Sequence, residues 1–194
     1  MRNLLTKTTD LAMYLTLAYI RKGDYVIDAT CGNGGDTAAL AEAVGQEGAV
    51  LAVDIQKAAV ESTAKRLTEI GMNNVTIVQD SFCRMEQISE EYFPGKSPAA
   101  VVFNLGYLPG GNKQVTTTAE DTETAVRRAA DLIRKDGVVT VVMYDGHGEG
   151  AREKEQLLAM AGRLPKDRYH VVFASMPNQQ TGRPPEVLWI TRKK

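Results

Sequence analysis

Between Tyr25 and Thr37 the chain reads Y-V-I-D-A-T-C-G-N-G-G-D-T. Tyr25, Val26 and Ile27 lead into Asp28, glycines stand at Gly32, Gly34 and Gly35, and a helix-like run opens at Asp36. A buried strand, a glycine turn and a helix N-terminus in that order cradle nucleotide-like ligands in doubly wound α/β folds. Asp54 follows Gly34 by 20 residues, at the end of a second apolar run. A carboxylate at that distance accepts both ribose hydroxyls of an adenosine. Its alternative role is a helix N-cap, since the pattern from Lys57 onward is helical.

The spacing of the turn discriminates between adenosine ligands. G-x-G-x-x-G does not fit, because counting from Gly32 puts Thr37 at the third glycine. The string D-A-T-C-G-N-G resembles instead the methyltransferase signature D-x-G-x-G-x-G, with Thr30, a residue that tolerates positive φ poorly, replacing the first glycine. Little anion-binding equipment accompanies the helix start, so S-adenosylmethionine (SAM), which carries no phosphate, fits better than a dinucleotide. The expected cofactor set is Asp28, Cys31, Gly32, Asn33, Gly35, Asp36, Asp54, Gln56, Asp80, Ser81 and Phe82. Asn33 and the turn backbone would meet the methionine end, with Asp36 as a capping carboxylate. Asp54 and Gln56 would take the ribose and the adenine edge. Asp80, Ser81 and Phe82 would frame the adenine, Asp80 accepting from its exocyclic amine. The Cys31 thiol reads as packing, since nothing beside it would activate a thiolate.

A second cluster follows the fourth apolar run: Asn104-Leu105-Gly106-Tyr107-Leu108-Pro109-Gly110-Gly111. Enzymes that methylate an amine conjugated to a base carry N/D-P-P-Y/F at this place. There a side-chain and a backbone carbonyl accept the amine's protons, and the aromatic ring stacks on the base. This chain keeps Asn104 and Tyr107 with Leu105 and Gly106 between them; the alternative is a strand-end turn with a buried tyrosine. His147, set among glycines in Y-D-G-H-G, could contact the target nucleotide, its phosphate or the amine's departing proton, or be an ordinary loop histidine. Asn178, Gln179 and Arg183, in N-Q-Q-T-G-R-P-P, offer amides and a guanidinium, and Lys113 a further cation. The expected catalytic residues are thus Asn104, Tyr107 and His147, and the substrate contacts Leu105, Gly106, Lys113, Asn178, Gln179 and Arg183.

These residues need a scaffold that brings strand ends to one edge. Leu4, Leu5, Leu11, Leu15, Ala18 and Tyr19 have mostly helical spacing, which predicts an N-terminal helix over 4–20. Strands are predicted at 25–29, 49–53, 75–78, 99–103 and 138–143, each followed by a helical or amphipathic stretch, then two more at 169–174 and 187–191. Each of the first five strands returns through a helix and is therefore expected to be parallel to its neighbours. The expected fold is α/β with helices on both faces of a seven-stranded, mostly parallel sheet. An antiparallel seventh strand would make it similar to the Rossmann-like class I SAM-dependent methyltransferases. One domain over 1–194 is expected, with 1–22 packed on it as a helix.

Composition sets the outer limits. At 194 residues, 43% hydrophobic and 24% charged, the chain can bury one core. No apolar run reaches the length of a membrane helix, Asp10 and Thr16 interrupt anything resembling a secretory signal, and two cysteines are too few for a disulfide framework or a zinc site. A cytoplasmic protein without membrane or metal partners is expected, a homodimer being left open. Net charge is −1, but the first 97 residues hold 9 Lys+Arg against 13 Asp+Glu and the rest 14 against 11. The basic excess of the second half suits either solvated helix faces or a modest RNA-facing patch.

Four strings, D-A-T-C-G-N-G-G-D-T, N-L-G-Y-L-P-G-G-N-K, Y-D-G-H-G-E-G and N-Q-Q-T-G-R-P-P, occur in an order that resembles the YtqB/MnmM family of small bacterial methyltransferases. The resemblance implies methylation by SAM of the amine of 5-aminomethyl-2-thiouridine at the tRNA wobble position, with the anticodon stem-loop as partner. Asn112 stands where an acidic residue is expected and Gly35 where a larger one is common. The alternatives are a SAM-dependent enzyme acting on rRNA or a small amine, and a non-catalytic RNA-binding domain.

Overall fold

The computed structural model describes residues 6–106, 118–144, 148–179 and 184–193. Its strands are β1 (Tyr25–Asp28), β2 (Ala49–Asp54), β3 (Val75–Gln79), β4 (Ala100–Asn104), β5 (Val138–Met143), β6 (Tyr169–Ala174) and β7 (Glu186–Arg192). The helices are α1 (Thr8–Leu17), α2 (Gly35–Val44), α3 (Lys57–Glu69), α4 (Met85–Tyr92), α5 (Ala119–Leu132) and α6 (Gly148–Gly162). The strands form one sheet in the order β3-β2-β1-β4-β5-β7-β6. The first five are mutually parallel, as the sequence pattern anticipates, and β7 runs antiparallel between β5 and β6, as in the fold the sequence resembles.

Central strands read as unbroken apolar runs because both faces of the sheet are covered. All four residues of β1 and all six of β5 are buried. Alternation still sorts the side chains: along β4, Val101 and Phe103 join one core cluster and Ala100 and Val102 the other. The first cluster packs under α4, α5 and α6 through Met85, Val126, Ala129 and Leu157. The second lies under α1 and α2 through Ala12, Leu40 and Val44, with Trp189 of β7. In α5 the buried positions Ala119, Thr122, Val126 and Ala129 recur at helical spacing, and Thr118 caps the helix by accepting from the Asp121 N–H.

The N-terminal helix is shorter than its pattern suggests, starting at Thr8 with residues 1–5 outside the described range. It is held to the sheet by polar as well as apolar contacts. The Thr8 hydroxyl donates to the Pro185 carbonyl at 2.5 Å, and the Thr16 and Thr140 hydroxyls pair at 2.6 Å in the interior. Among the described residues no helix is long and apolar enough to cross a membrane.

Candidate active site

Strand order reverses at β1, whose neighbours are β2 on one side and β4 on the other. The crevice beyond the carboxyl end of β1 is the place where open α/β sheets bind ligands. Gly32 and Gly34 adopt φ of 50° and 74°, the left-handed region that favours glycine. A Cβ on Gly34 would stand 3.0 Å from the Thr63 backbone Cα, so the turn packs directly on α3. Thr30 is not among the positive-φ residues. Its substitution for glycine therefore carries no left-handed strain, and its hydroxyl accepts from the Asn104 N–H at 2.7 Å, joining the turn to the end of β4.

Three carboxylates shape the crevice. Asp28 is 1% exposed and lies beneath the turn, accepting from the Thr37 hydroxyl at 2.6 Å and the Thr30 N–H at 3.2 Å. Burial, aided by the charge of Asp36, pushes its carboxyl up to about 7. The expected ligand contact by its side chain is thus corrected: Asp28 fixes the turn from below. Asp54 receives the Gly32 N–H at 3.0 Å and the Gln56 N–H at 2.9 Å, while the N-cap of α3 is Gln56. Asp36 does not cap α2, whose N-cap is Gly34 without a side-chain bond. Its Oδ2 instead accepts from Asn104 Nδ2 at 3.3 Å, and burial raises its pKa against the lowering effect of that bond.

Other expected contacts separate into those at the surface of the crevice and those below it. Cys31 is buried, and burial pushes its thiol up to about 12, in keeping with packing. Leu105 is 2% exposed and belongs to the core, so its side chain is corrected from substrate contact to support. Asn33 is exposed, its side-chain carbonyl accepting from the Ser62 hydroxyl and its backbone carbonyl from Arg66 Nε. Gly35 is exposed too, and a Cβ there would meet nothing within 4 Å, which leaves open space over the first turn of α2.

On the β3 side, Asp80 is joined to β2 by its N–H to the Asp54 carbonyl at 3.1 Å. Its carboxylate accepts from the Ser81 N–H and from Arg84, both at 2.7 Å. Ser81 accepts from the Cys83 N–H, and Phe82 stands edge-on to Phe103 with ring centroids 5.9 Å apart.

On the β4 side, Asn104 and Asp36 line a cleft with Thr9, Met13 and Thr16 of α1 and Thr140 of β5. Tyr144, just past β5, lies in ordinary contact distance, 3.7 Å, of where a Cβ on Gly106 would stand, and the Gly106 φ of 119° favours glycine on backbone grounds. Sequence reasoning missed Thr140 and the roles of Thr30, Thr16 and Tyr144; hydroxyls interrupting apolar runs, as in V-V-T-V-V, are the signal that could have found Thr16 and Thr140. Asn178 and Gln179 sit exposed in a turn closed by the Gln179 N–H on the Met176 carbonyl, and do not line this cleft. Tyr107, Lys113, His147 and Arg183 lie outside the described residues.

The donor and acceptor set favours a cationic adenosine ligand. Among the described residues no Lys or Arg pairs with Asp28, Asp36 or Asp54, and carboxylates suit a sulfonium and an ammonium far better than a pyrophosphate.

Comparison with known proteins agrees. The family described as "Putative rRNA methylase" matches residues 50–191. A chloroplastic tRNA (mnm(5)s(2)U34)-methyltransferase of Arabidopsis thaliana is 38% identical over 165 residues, 82% of this chain, and the chain spans 60% of that relative's length. The crystal structure of a "putative rRNA-methylase" from Clostridium thermocellum superposes with a TM-score of 0.89 at 34% identity, covering 96% of this chain and 97% of that one. A "putative methyltransferase" from Streptococcus mutans, solved in complex with SAH, gives 0.82 at 26% identity, covering 95% and 97%. The seven-stranded fold is that of class I SAM-dependent methyltransferases.

Proposed function

The chain belongs to the rRNA methylase family, and from that premise we propose that it methylates tRNA. The reaction is transfer of the SAM methyl to the primary amine of 5-aminomethyl-(2-thio)uridine at the wobble position, giving 5-methylaminomethyl-(2-thio)uridine. The likeness to the Arabidopsis tRNA methyltransferase carries this reading, since that relative is named for the same nucleoside. The reaction is proposed for the cytoplasm.

When bound, SAM supplies an electrophilic methyl on a sulfonium, an already activated leaving group. The Gly32–Gly35 turn and Asp54 hold the donor's ribose and methionine parts, with Gln56, Asp80, Ser81 and Phe82 toward the adenine. Asn104 gives one of its two side-chain N–H donors to Asp36, which orients its carbonyl oxygen to accept from the incoming amine and align the nitrogen lone pair. Alignment of that nitrogen with the methyl supplies several kcal/mol of rate enhancement, the proximity effect of a held pair of reactants. In this reading Tyr107 would stack on the base, His147 would contact the nucleotide, and Lys113, Arg183, Asn178 and Gln179 would hold the anticodon arm.

The family description favours a second reading, a methylated nucleotide in rRNA. Nucleoside mass spectrometry on cells lacking the gene separates the two. Loss of wobble methylaminomethyl-uridine with accumulation of the aminomethyl precursor supports the tRNA reading; an unchanged tRNA profile with a missing rRNA methyl supports the other.

A further inference from the structure

Asp36 was expected on the cofactor, yet among the described residues its side-chain partner belongs to the acceptor side. It sits in the first turn of α2, accepts from Asn104 Nδ2 at 3.3 Å, and contributes to the cleft walled by α1 and by β4 and β5. β4 and β5 lie on the opposite side of β1 from β2 and β3, whose ends carry Asp54 and Asp80. The cleft is therefore displaced from the ribose and adenine positions, toward the strand end from which an acceptor motif projects. Its remaining polar lining among the described residues consists of hydroxyls, from Thr9, Thr16 and Thr140.

We propose that Asp36 is the catalytic base of the reaction, receiving the acceptor as a primary alkylammonium and taking its proton, while Asn104 holds the carboxylate in place. This rests on the amine methylation proposed above. In the step one N–H bond of the ammonium breaks and an O–H bond forms on Asp36. The electron pair stays on nitrogen, which becomes the neutral nucleophile. A free alkylammonium is almost wholly protonated near neutral pH, so some group must accept that proton before transfer. Burial works in the right direction on both partners: it raises a carboxyl and lowers an ammonium, narrowing the gap that the proton must cross. Among the described residues, the ionisable groups that feel the charge of Asp36 are Asp28 at the end of β1 and Tyr144 past β5, while α1 presents hydroxyls. The N-terminal helix thereby acquires a function as the wall of the acceptor pocket.

The test uses the full chain and its Asp36→Asn variant, which keeps the size of the side chain and can still accept from Asn104. Calorimetry with S-adenosylhomocysteine reads cofactor binding without turnover. Single-turnover methylation of undermodified tRNA, measured from pH 6 to 10, reads the chemical step. The expected result is cofactor affinity within about threefold of wild type and a rate about 100-fold lower at pH 7.5. That deficit should shrink as rising pH deprotonates the amine without help. Asp36→Glu, which restores the carboxylate, should recover part of the rate, and thermal melting of each variant reports its folding. Loss of cofactor affinity with a normal rate at saturating SAM would overturn the inference, making Asp36 a cofactor ligand. So would an unchanged rate and pH profile. A wild type that methylates no aminomethyl-bearing tRNA removes the underlying functional reading instead, and is seen before any variant is made.

Discussion

Asn104 Nδ2 and Asp36 Oδ2 lie 3.3 Å apart, tying the end of β4 to the first turn of α2 across the carboxyl edge of the sheet. The same asparagine receives its other constraint from Thr30, whose hydroxyl accepts from its backbone N–H. The turn after β1 thus holds the Asn104 backbone and the first turn of α2 its side-chain amide, leaving the side-chain carbonyl for a ligand. Replacing Asn104 with Ala should lower the rate of methyl transfer by about 100-fold while cofactor affinity stays near wild type. A parallel loss of S-adenosylhomocysteine affinity, measured by calorimetry, would place Asn104 on the cofactor instead.

Asp54 makes the complementary case on the cofactor side. Its two oxygens already receive the Gly32 and Gln56 N–H groups, so it shapes the turn as well as offering lone pairs to a ribose. Asp54→Ala should weaken S-adenosylhomocysteine binding by about 10- to 100-fold, the magnitude of hydrogen bonds to a charged group. An unaltered dissociation constant would remove Asp54 from the site.

Much of this geometry was legible in the sequence, and the reason is local periodicity. Unbroken apolar runs marked β1 and β5, glycines marked the turn, and distance along the chain marked Asp54 and Asn104 as strand ends. What stayed hidden was the direction in which polar side chains spend their hydrogen bonds. Asp28 and Asp36 look alike as acids flanking a glycine turn, yet one is buried beneath it and the other reaches a residue 68 positions away. The Thr30 hydroxyl meets the Asn104 N–H across 74 positions, and Thr16 meets Thr140 across 124. No spacing rule reports such pairs, because they arise from the pairing of β1 with β4 and from packing α1 and α2 on the sheet.

The buried carboxyl of Asp28 makes stability depend on pH in a definite sense. Its folded-state pKa of about 7 lies above the ordinary value of 3.8, so the native state binds the extra proton between them. The stability it contributes is full below about pH 4 and is lost as pH rises through about 7. Asp28→Asn can still accept from the Thr30 N–H and can donate to the Thr37 hydroxyl. It should therefore flatten the fall in melting temperature between pH 4.5 and 8 and raise that temperature at the alkaline end. Asp36, raised in the same sense, leaves a residual slope. Identical pH profiles for the variant and wild type would show that Asp28 is ionised throughout.

The turn itself is testable at Gly34, where φ is 74° and the space for a Cβ is closed by the Thr63 backbone at 3.0 Å. Gly34→Ala should cost about 2 kcal/mol in urea unfolding, combining left-handed strain with displacement of α3. Gly35→Ala, with open space and no positive φ, should leave stability within about 0.5 kcal/mol. Equal effects at the two positions would contradict this description of the turn.

In the proposed reaction the crevice at the end of β1 brings SAM to a tRNA amine. The most direct measurement is incubation of the purified chain with isotopically labelled SAM and tRNA carrying 5-aminomethyl-2-thiouridine, followed by nucleoside mass spectrometry. Label should appear in 5-methylaminomethyl-2-thiouridine at the wobble position, and in no product when the tRNA lacks the aminomethyl group. Failure to label this nucleoside, with label entering rRNA or a small amine under the same conditions, would contradict the account.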